Sequence, residues 1–150
     1  MAKMTAARAA VRILESEGAA IAGIAERKLA EEALRESEQR LQEIIDKTTS
    51  IVFVKDLELR YLLVNRKYER RHHVRREQIR GKTDFDIHPH DFAEAVRASD
   101  RQVIEVGESI QFEETVPTND GERLCVVAKF PLRDRAGRPY AVCGIARDIT

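Results

Sequence analysis

The chain has 150 residues, and its 26 basic and 26 acidic side chains cancel formally. That length fits one domain with an added helical segment and excludes a second full domain, while the zero balance gives no whole-chain pull toward nucleic acid or an anionic membrane. No apolar stretch approaches the roughly 20 residues of a membrane span, the start Met1-Ala2-Lys3-Met4-Thr5 lacks the apolar centre of a signal peptide, and Cys125 and Cys143 read as reduced thiols of a cytoplasmic protein.

Residues 5–46 contain no proline and are crowded with Ala, Glu, Arg, Leu and Gln, all good helix formers. The pattern predicts a short helix from Thr5 to Glu17, a break or bend near Gly18 to Gly23, and a longer helix from Ala25 to Asp46. In the longer helix Ala30, Leu34, Ser37, Leu41 and Ile44 recur at alternating spacings of four and three, which draws one apolar seam down one side. A seam that narrow on a helix of about 33 Å suits a two-stranded coiled coil, so homodimerisation is expected there. Ile45 beside Ile44 widens the stripe where the helix meets a globular body.

From Ser50 the pattern turns to strands. Ile51 to Lys55 and Arg60 to Val64 read as a hairpin joined by Asp56-Leu57-Glu58-Leu59. A polar helical stretch from Asn65 to Arg80 follows, then an amphipathic helix from Asp91 to Val106 that Gly107 ends. Three further strands are expected at Ser109 to Pro117, Glu122 to Leu132 and Pro139 to Ile149, with Asn119-Asp120-Gly121 and Arg135-Ala136-Gly137-Arg138 as turns. The order describes an α+β domain: a five-stranded antiparallel sheet with helices on one face, preceded by a long N-terminal helix. In the fourth strand Leu124, Val126, Ala128 and Phe130 alternate with Cys125, Val127 and Lys129, and both sets are partly apolar. The last two strands are therefore expected to be covered on both faces, the second by the end of the N-terminal helix.

The order of elements, the segment Gly81-Lys82-Thr83-Asp84-Phe85-Asp86-Ile87-His88-Pro89 and the terminal Asp148-Ile149-Thr150 together resemble the PAS family. The resemblance covers residues 38–150, with the PAS domain bounded at 47–150 and the helical segment at 1–46. It implies a non-catalytic sensory module that receives a small-molecule or partner signal. The signal would pass through dimeric helices to an effector beyond Thr150, such as a histidine kinase or a diguanylate cyclase. Asp148-Ile149-Thr150 resembles the family's exit signature, and Ile24 to Glu38 is similar to the helix that connects consecutive PAS domains. Residues 1–18 weakly resemble the opening helix of thiamine-diphosphate carboligases; nothing after Gly18 continues that match, and no carboligase function is assigned.

The family's usual receptor site lies between sheet and helices. The resemblance makes Phe53, Leu63, Tyr68, Phe85, Ile87, Phe92, Val96, Val103, Phe112, Val126, Ala128 and Cys143 candidate lining residues, each equally suited to ordinary core packing. Glu114 joins them because alternation with Phe112 and Val116 turns its carboxylate inward, where it needs a partner. Ala30, Leu34, Leu41, Ile44, Ile45 and Asp148 are the expected dimer and relay residues. The cofactor is unknown: the helix Asp91 to Val106 holds no histidine for haem, His88 and His90 precede it in a Pro-containing loop, and neither cysteine has a flavin-adduct context. His72-His73 sits among arginines and reads as solvated, and the four histidines and two cysteines show no metal-site spacing. Arg66, Lys67, Arg70, Arg71, Arg75, Arg76 and Arg80 form a basic cluster suited to a carboxylate, a phosphate or an acidic surface. No aromatic platform accompanies it, which argues against nucleic acid. The other reading kept open is a ligand-free interaction and homodimerisation module.

Overall fold

In a computed structural model, residues 5–149 are described; Thr150 of the exit signature and residues 1–4 lie outside them. The chain divides into two compact units between Gln42 and Glu43. The first is formed by most of α1 (Ala6–Asp46), a helix of 41 residues. The expected break near Gly18 to Gly23 is absent. A helical glycine costs only about 1 kcal/mol relative to alanine, and neither residue adopts the positive φ that would turn the chain. None of the described residues of α1 is buried, and Leu34, Leu41 and Ile44 are among its exposed large apolar side chains.

The second unit carries β1 (Ile51–Asp56), β2 (Tyr61–Val64), α2 (Arg66–His72), α3 (Arg76–Ile79), α4 (Asp84–Ile87), α5 (His90–Val106), β3 (Ile110–Thr118), β4 (Gly121–Arg133) and β5 (Pro139–Asp148). All pairings are antiparallel, in the order β2-β1-β5-β4-β3. The last strand therefore occupies the centre, flanked by β1 and β4. The polar stretch expected as one helix is two, because His73 closes α2 in the left-handed conformation. Gly81, at φ 81°, turns the chain so that its N–H donates to the Tyr61 carbonyl while Tyr61 N–H donates to the Lys82 carbonyl. This stitch along β2 delivers Asp84 to the start of α4, pointing inward.

Period-2 alternation separates the sheet into two faces. Ile51 and Phe53 of β1, Cys125 and Val127 of β4 and Ala146 of β5 pack with Tyr68 and Ile79 of the helices. Leu59 and Val142 pack with Val103 of α5. Gly144 belongs to this helix-covered face, because the Phe53 ring occupies the space where a side chain would stand, with Cζ 2.1 Å from an added Cβ. The opposite face carries Val54, Val126, Ala128, Phe130, Cys143 and Ile145. It is apolar too, yet Leu124 and Ile145 are each 38% exposed.

Polar groups fasten the last residues of α1 within this unit. Asn65, fully buried, donates from Nδ2 to the Ile45 and Ser50 carbonyls at 2.7 and 2.9 Å, and its Oδ1 accepts from Val52 N–H and Tyr68 N–H. Asp46 accepts from Arg66 N–H at 2.8 Å and pairs with Arg76 at 3.1 Å. Ile45 is half-buried, whereas Ile44 stays exposed.

Candidate ligand-sensing site

The most unusual chemistry of the fold lies beneath α5. Lys55, Asp84, Asp100 and Lys129 are all 0% exposed. An isolated buried charge is prohibitively costly, so each must be paired. Lys55 Nζ donates to Asp84 Oδ1 and Oδ2 at 2.9 and 2.8 Å and to Asp100 Oδ2 at 2.7 Å, using all three of its protons. Lys129 Nζ donates to Ser99 Oγ at 2.6 Å and stands 2.9 Å from both Asp100 Oδ1 and Glu114 Oε1. The aromatic faces of Phe53 and Tyr61 lie 4.9 and 4.8 Å from Lys55 Nζ, a favourable placement for an ammonium.

The topology gives this network its meaning. Lys55 pairs in register with Val142 of β5 from one side, and Lys129 pairs with Gly144 of β5 from the other. Asp100 of α5 accepts a hydrogen bond from Lys55 through Oδ2 and stands at ion-pair distance from Lys129 through Oδ1, an oxygen that makes no hydrogen bond among the described residues. A single carboxylate thus bridges α5 and the two strands that bracket β5.

The network continues into an aromatic chain. Tyr61 Oη donates to Asp84 Oδ1 at 2.6 Å, Tyr68 Oη donates to Tyr61 Oη at 2.7 Å, and His88 Nε2 lies 3.0 Å from Tyr68 Oη. Since the single Tyr68 proton is directed to Tyr61, His88 Nε2 carries the proton that closes the contact. Burial holds His88 down at about 4, with Lys55 adding to the effect, and burial holds His72 at about 3 with help from His88 and Arg71. Burial first, then Tyr68 and Asp84, pushes the Tyr61 hydroxyl well above its ordinary value. His72 packs on Tyr68 with ring centroids 4.4 Å apart, so it is half-buried, not solvated; His73 is exposed as expected. α5 starts one residue earlier than predicted and includes His90, exposed and 3.3 Å from Glu94.

Two spaces adjoin these groups. One, bounded by Phe53, Tyr61, Tyr68, His88 and Val127 among others, has a volume of only about 30 Å³, enough for a water or two. The other is a cleft of about 590 Å³ between α5 and β3, within the range of small-molecule sites. Phe92, Val96 and Phe112 form its apolar wall, and Ser99 and Glu114 bring the ionic network to its lining.

Of the predicted lining residues, Phe53, Tyr68, Phe92, Val96, Phe112 and Glu114 border these spaces. Glu114 turns inward as alternation required, its Oε1 also 3.1 Å from Ser99 Oγ, with Glu113 and Thr115 exposed. Ile87 packs against the core beside them. The others stand elsewhere. Leu63 pairs with Val54 and Cys143 with Phe130, on the opposite face with Val126 and Ala128. Phe85 is 45% exposed beneath Arg97, and Val103 is enclosed against Leu59 and Val142. The strand register reversed the expected faces of β4, because the set containing Lys129 faces the helices. Sequence reasoning missed Lys55, Asp84, Asp100 and Lys129. Asp100 occupies an apolar position of α5, four residues after Val96 and three before Val103, and that interruption was its available signal.

Comparison with known proteins agrees with this architecture. A family model described as PAS fold matches residues 45–150. The methanogenesis regulatory histidine kinase FilI of Methanothrix harundinacea is 36% identical over 115 residues, which cover 76% of this chain and 13% of that protein. The chain thus spans a small part of this relative's length. Among solved structures, VqmA of Vibrio cholera in a complex with ligand and DNA superposes with a TM-score of 0.67 at 25% identity, covering 75% of this chain and 51% of that one. The PAS domain of Bordetella pertussis BvgS gives a TM-score of 0.66 at 23% identity, over 77% and 88% of the two chains. The matched segment contains every element of the sheet and its helices, and the chain belongs to the PAS family.

Proposed function

We propose that this chain is a sensory module that takes up a small molecule in the cleft between α5 and β3 and relays its presence through β5 and the dimeric α1 helices. The observation that carries this reading is Asp100, which holds Lys55 and Lys129 on either side of the exit strand at 2.7 and 2.9 Å. A ligand against Ser99 or Glu114 acts on partners of Lys129, so its effect reaches the bracket around β5 without any large motion. The receiving effector is of the histidine kinase or diguanylate cyclase type, a reading that the FilI similarity supports for the kinase.

Dimerisation follows from the character of α1. A helix of 41 residues with no fully buried residue among those described gains little from apolar burial along its own length, and its exposed Leu34, Leu41 and Ile44 supply a seam for a second copy. Leu34→Asp or Leu41→Asp should shift the mass measured by light scattering toward the monomer; an unchanged mass at low concentration argues against the seam.

A second reading, a ligand-free interaction module, is favoured by the near-filled interior of about 30 Å³. Native mass spectrometry of freshly purified protein, with an absorption scan for haem or flavin, separates the two. The sensory reading predicts bound small-molecule mass, or uptake from a metabolite mixture that Glu114→Gln reduces. Unliganded protein that takes up nothing from the mixture supports the interaction module.

A further inference from the structure

A separate cavity of about 340 Å³ lies at the far end of the sheet, where α2 faces the β3–β4 turn and the last residue of β5. Arg70, Arg71 and Arg123 line it together with His73, against two carboxylates among the described residues, Asp120 and Asp148. Arg71 is the informative member. A guanidinium presents five N–H donors in a planar fork. Among the described residues the Arg71 fork makes one long hydrogen bond, Nη2 to Asp148 Oδ2 at 3.3 Å, while its Nη1 is buried without an acceptor. A buried charged donor left unmade is costly, and the usual resolution is an acceptor brought in from outside the chain. By contrast Arg76, on the neighbouring helix, donates from Nε to Glu69 and from Nη2 to Asp46.

We propose that this cavity binds a small oxyanion, a carboxylate or phosphate, held by the Arg71 fork with Arg70 and Arg123 as supporting charges. Planar pairs of oxygens are what a guanidinium receives best, and three arginines with His73 above two carboxylates leave an excess of positive charge to attract them. Position gives the site a consequence. Asp148 closes β5 opposite Cys125, and its tie to Arg71 joins α2 to the exit strand. An oxyanion competes with Asp148 for the same fork, so occupancy loosens that tie. The site is distinct from the α5–β3 cleft, and its failure would leave the sensory reading of that cleft untouched.

The test is a titration of the full chain with inorganic phosphate at constant pH and ionic strength, chloride making up the balance, read by the arginine side-chain N–H signals in NMR. A parallel titration with succinate distinguishes the phosphate source from the carboxylate source, and saturation by either supports the site. The expected result is saturable shifts at Arg71 and Arg123 that Arg71→Gln abolishes. Because Arg71→Gln also removes a fold contact, Asp148→Asn provides a second arm. With the competitor gone, affinity should rise by about two- to fivefold, the equivalent of a part-exposed ion pair. Non-saturating shifts shared equally with Arg35 on α1, saturable binding indifferent to Arg71→Gln, or affinity unchanged or weakened in Asp148→Asn would each overturn the proposal.

Discussion

The two faces of the sheet reverse the usual division of chemistry. The helix-covered face is enclosed yet holds two lysines and, from the helices above, two aspartates, all fully buried. The opposite face is apolar yet partly open at Leu124 and Ile145. An enclosed apolar layer would give stability at least as well, since well-packed hydrophobic replacements of buried ion pairs are often neutral or stabilising. What the ionic layer adds is directionality. Lys55 on β1 is met by carboxylates of α4 and α5, and Lys129 on β4 by one of α5 beside Glu114 of β3, so helix placement and strand placement are bound to each other. The open face, by contrast, makes no such demand on its partner.

The largest expected effect comes from breaking the enclosed layer one-sidedly. Lys129→Met leaves Asp100 and Glu114 facing an apolar chain and should lower stability in urea denaturation by about 3–5 kcal/mol. A loss below about 1 kcal/mol would mean that the enclosed face tolerates charge as readily as a surface does. Next in size is Gly144→Ala, where the new methyl meets the Phe53 ring, whose Cζ lies 2.1 Å from the Cβ position. The ring must move off Lys55, and a cost of about 1–3 kcal/mol is expected from the same measurement.

The histidines give a third, smaller effect with a defined sign. An unfolded histidine takes a proton near 6.5, whereas folded His88 and His72 resist until about 4 and about 3. Between those values the unfolded chain binds more protons, so stability falls as pH drops from about 6.5 toward about 4. Each ring contributes up to about 1.4 kcal/mol per pH unit. His88→Gln should flatten this slope; a slope equal to that of the parent chain would remove the buried-neutral assignment of His88. The smallest effect belongs to the open face. Ile145→Ser should lower stability by about 1–2 kcal/mol, since that side chain, 38% exposed, has only part of its apolar surface to lose. A loss as large as that of Lys129→Met would show that the face is closed.

These contrasts also explain what the sequence could disclose. Strand and turn positions were legible because Gly107, Gly121 and Gly137 punctuate apolar runs, and each adopts the positive φ a turn or cap requires. Glu114 was legible because Phe112 and Val116 flank it at period two. The rest of the site was not, because β4 offers two partly apolar alternating sets, and the set with Lys129 looks like the solvent side. A lysine belongs inside only when carboxylates from other elements meet it. Asp84 and Asp100 lie 29 and 45 residues from Lys55 in sequence, and nothing local announces that they converge. Asn65 was overlooked for a related reason: it reads as a strand-to-helix punctuation mark, although its side chain fastens Ile45, Thr48, Ser50, Val52 and Tyr68.

The central claim, that Asp100 couples α5 to the exit strand, is tested most directly by native-state hydrogen exchange on Asp100→Asn, compared with the parent chain by strand. The account predicts that protection falls across Val142 to Ala146 of β5 and in the adjoining parts of β1 and β4, with little change at the edge strands β2 and β3. Loss of protection confined to α5, with β5 unchanged, would contradict it.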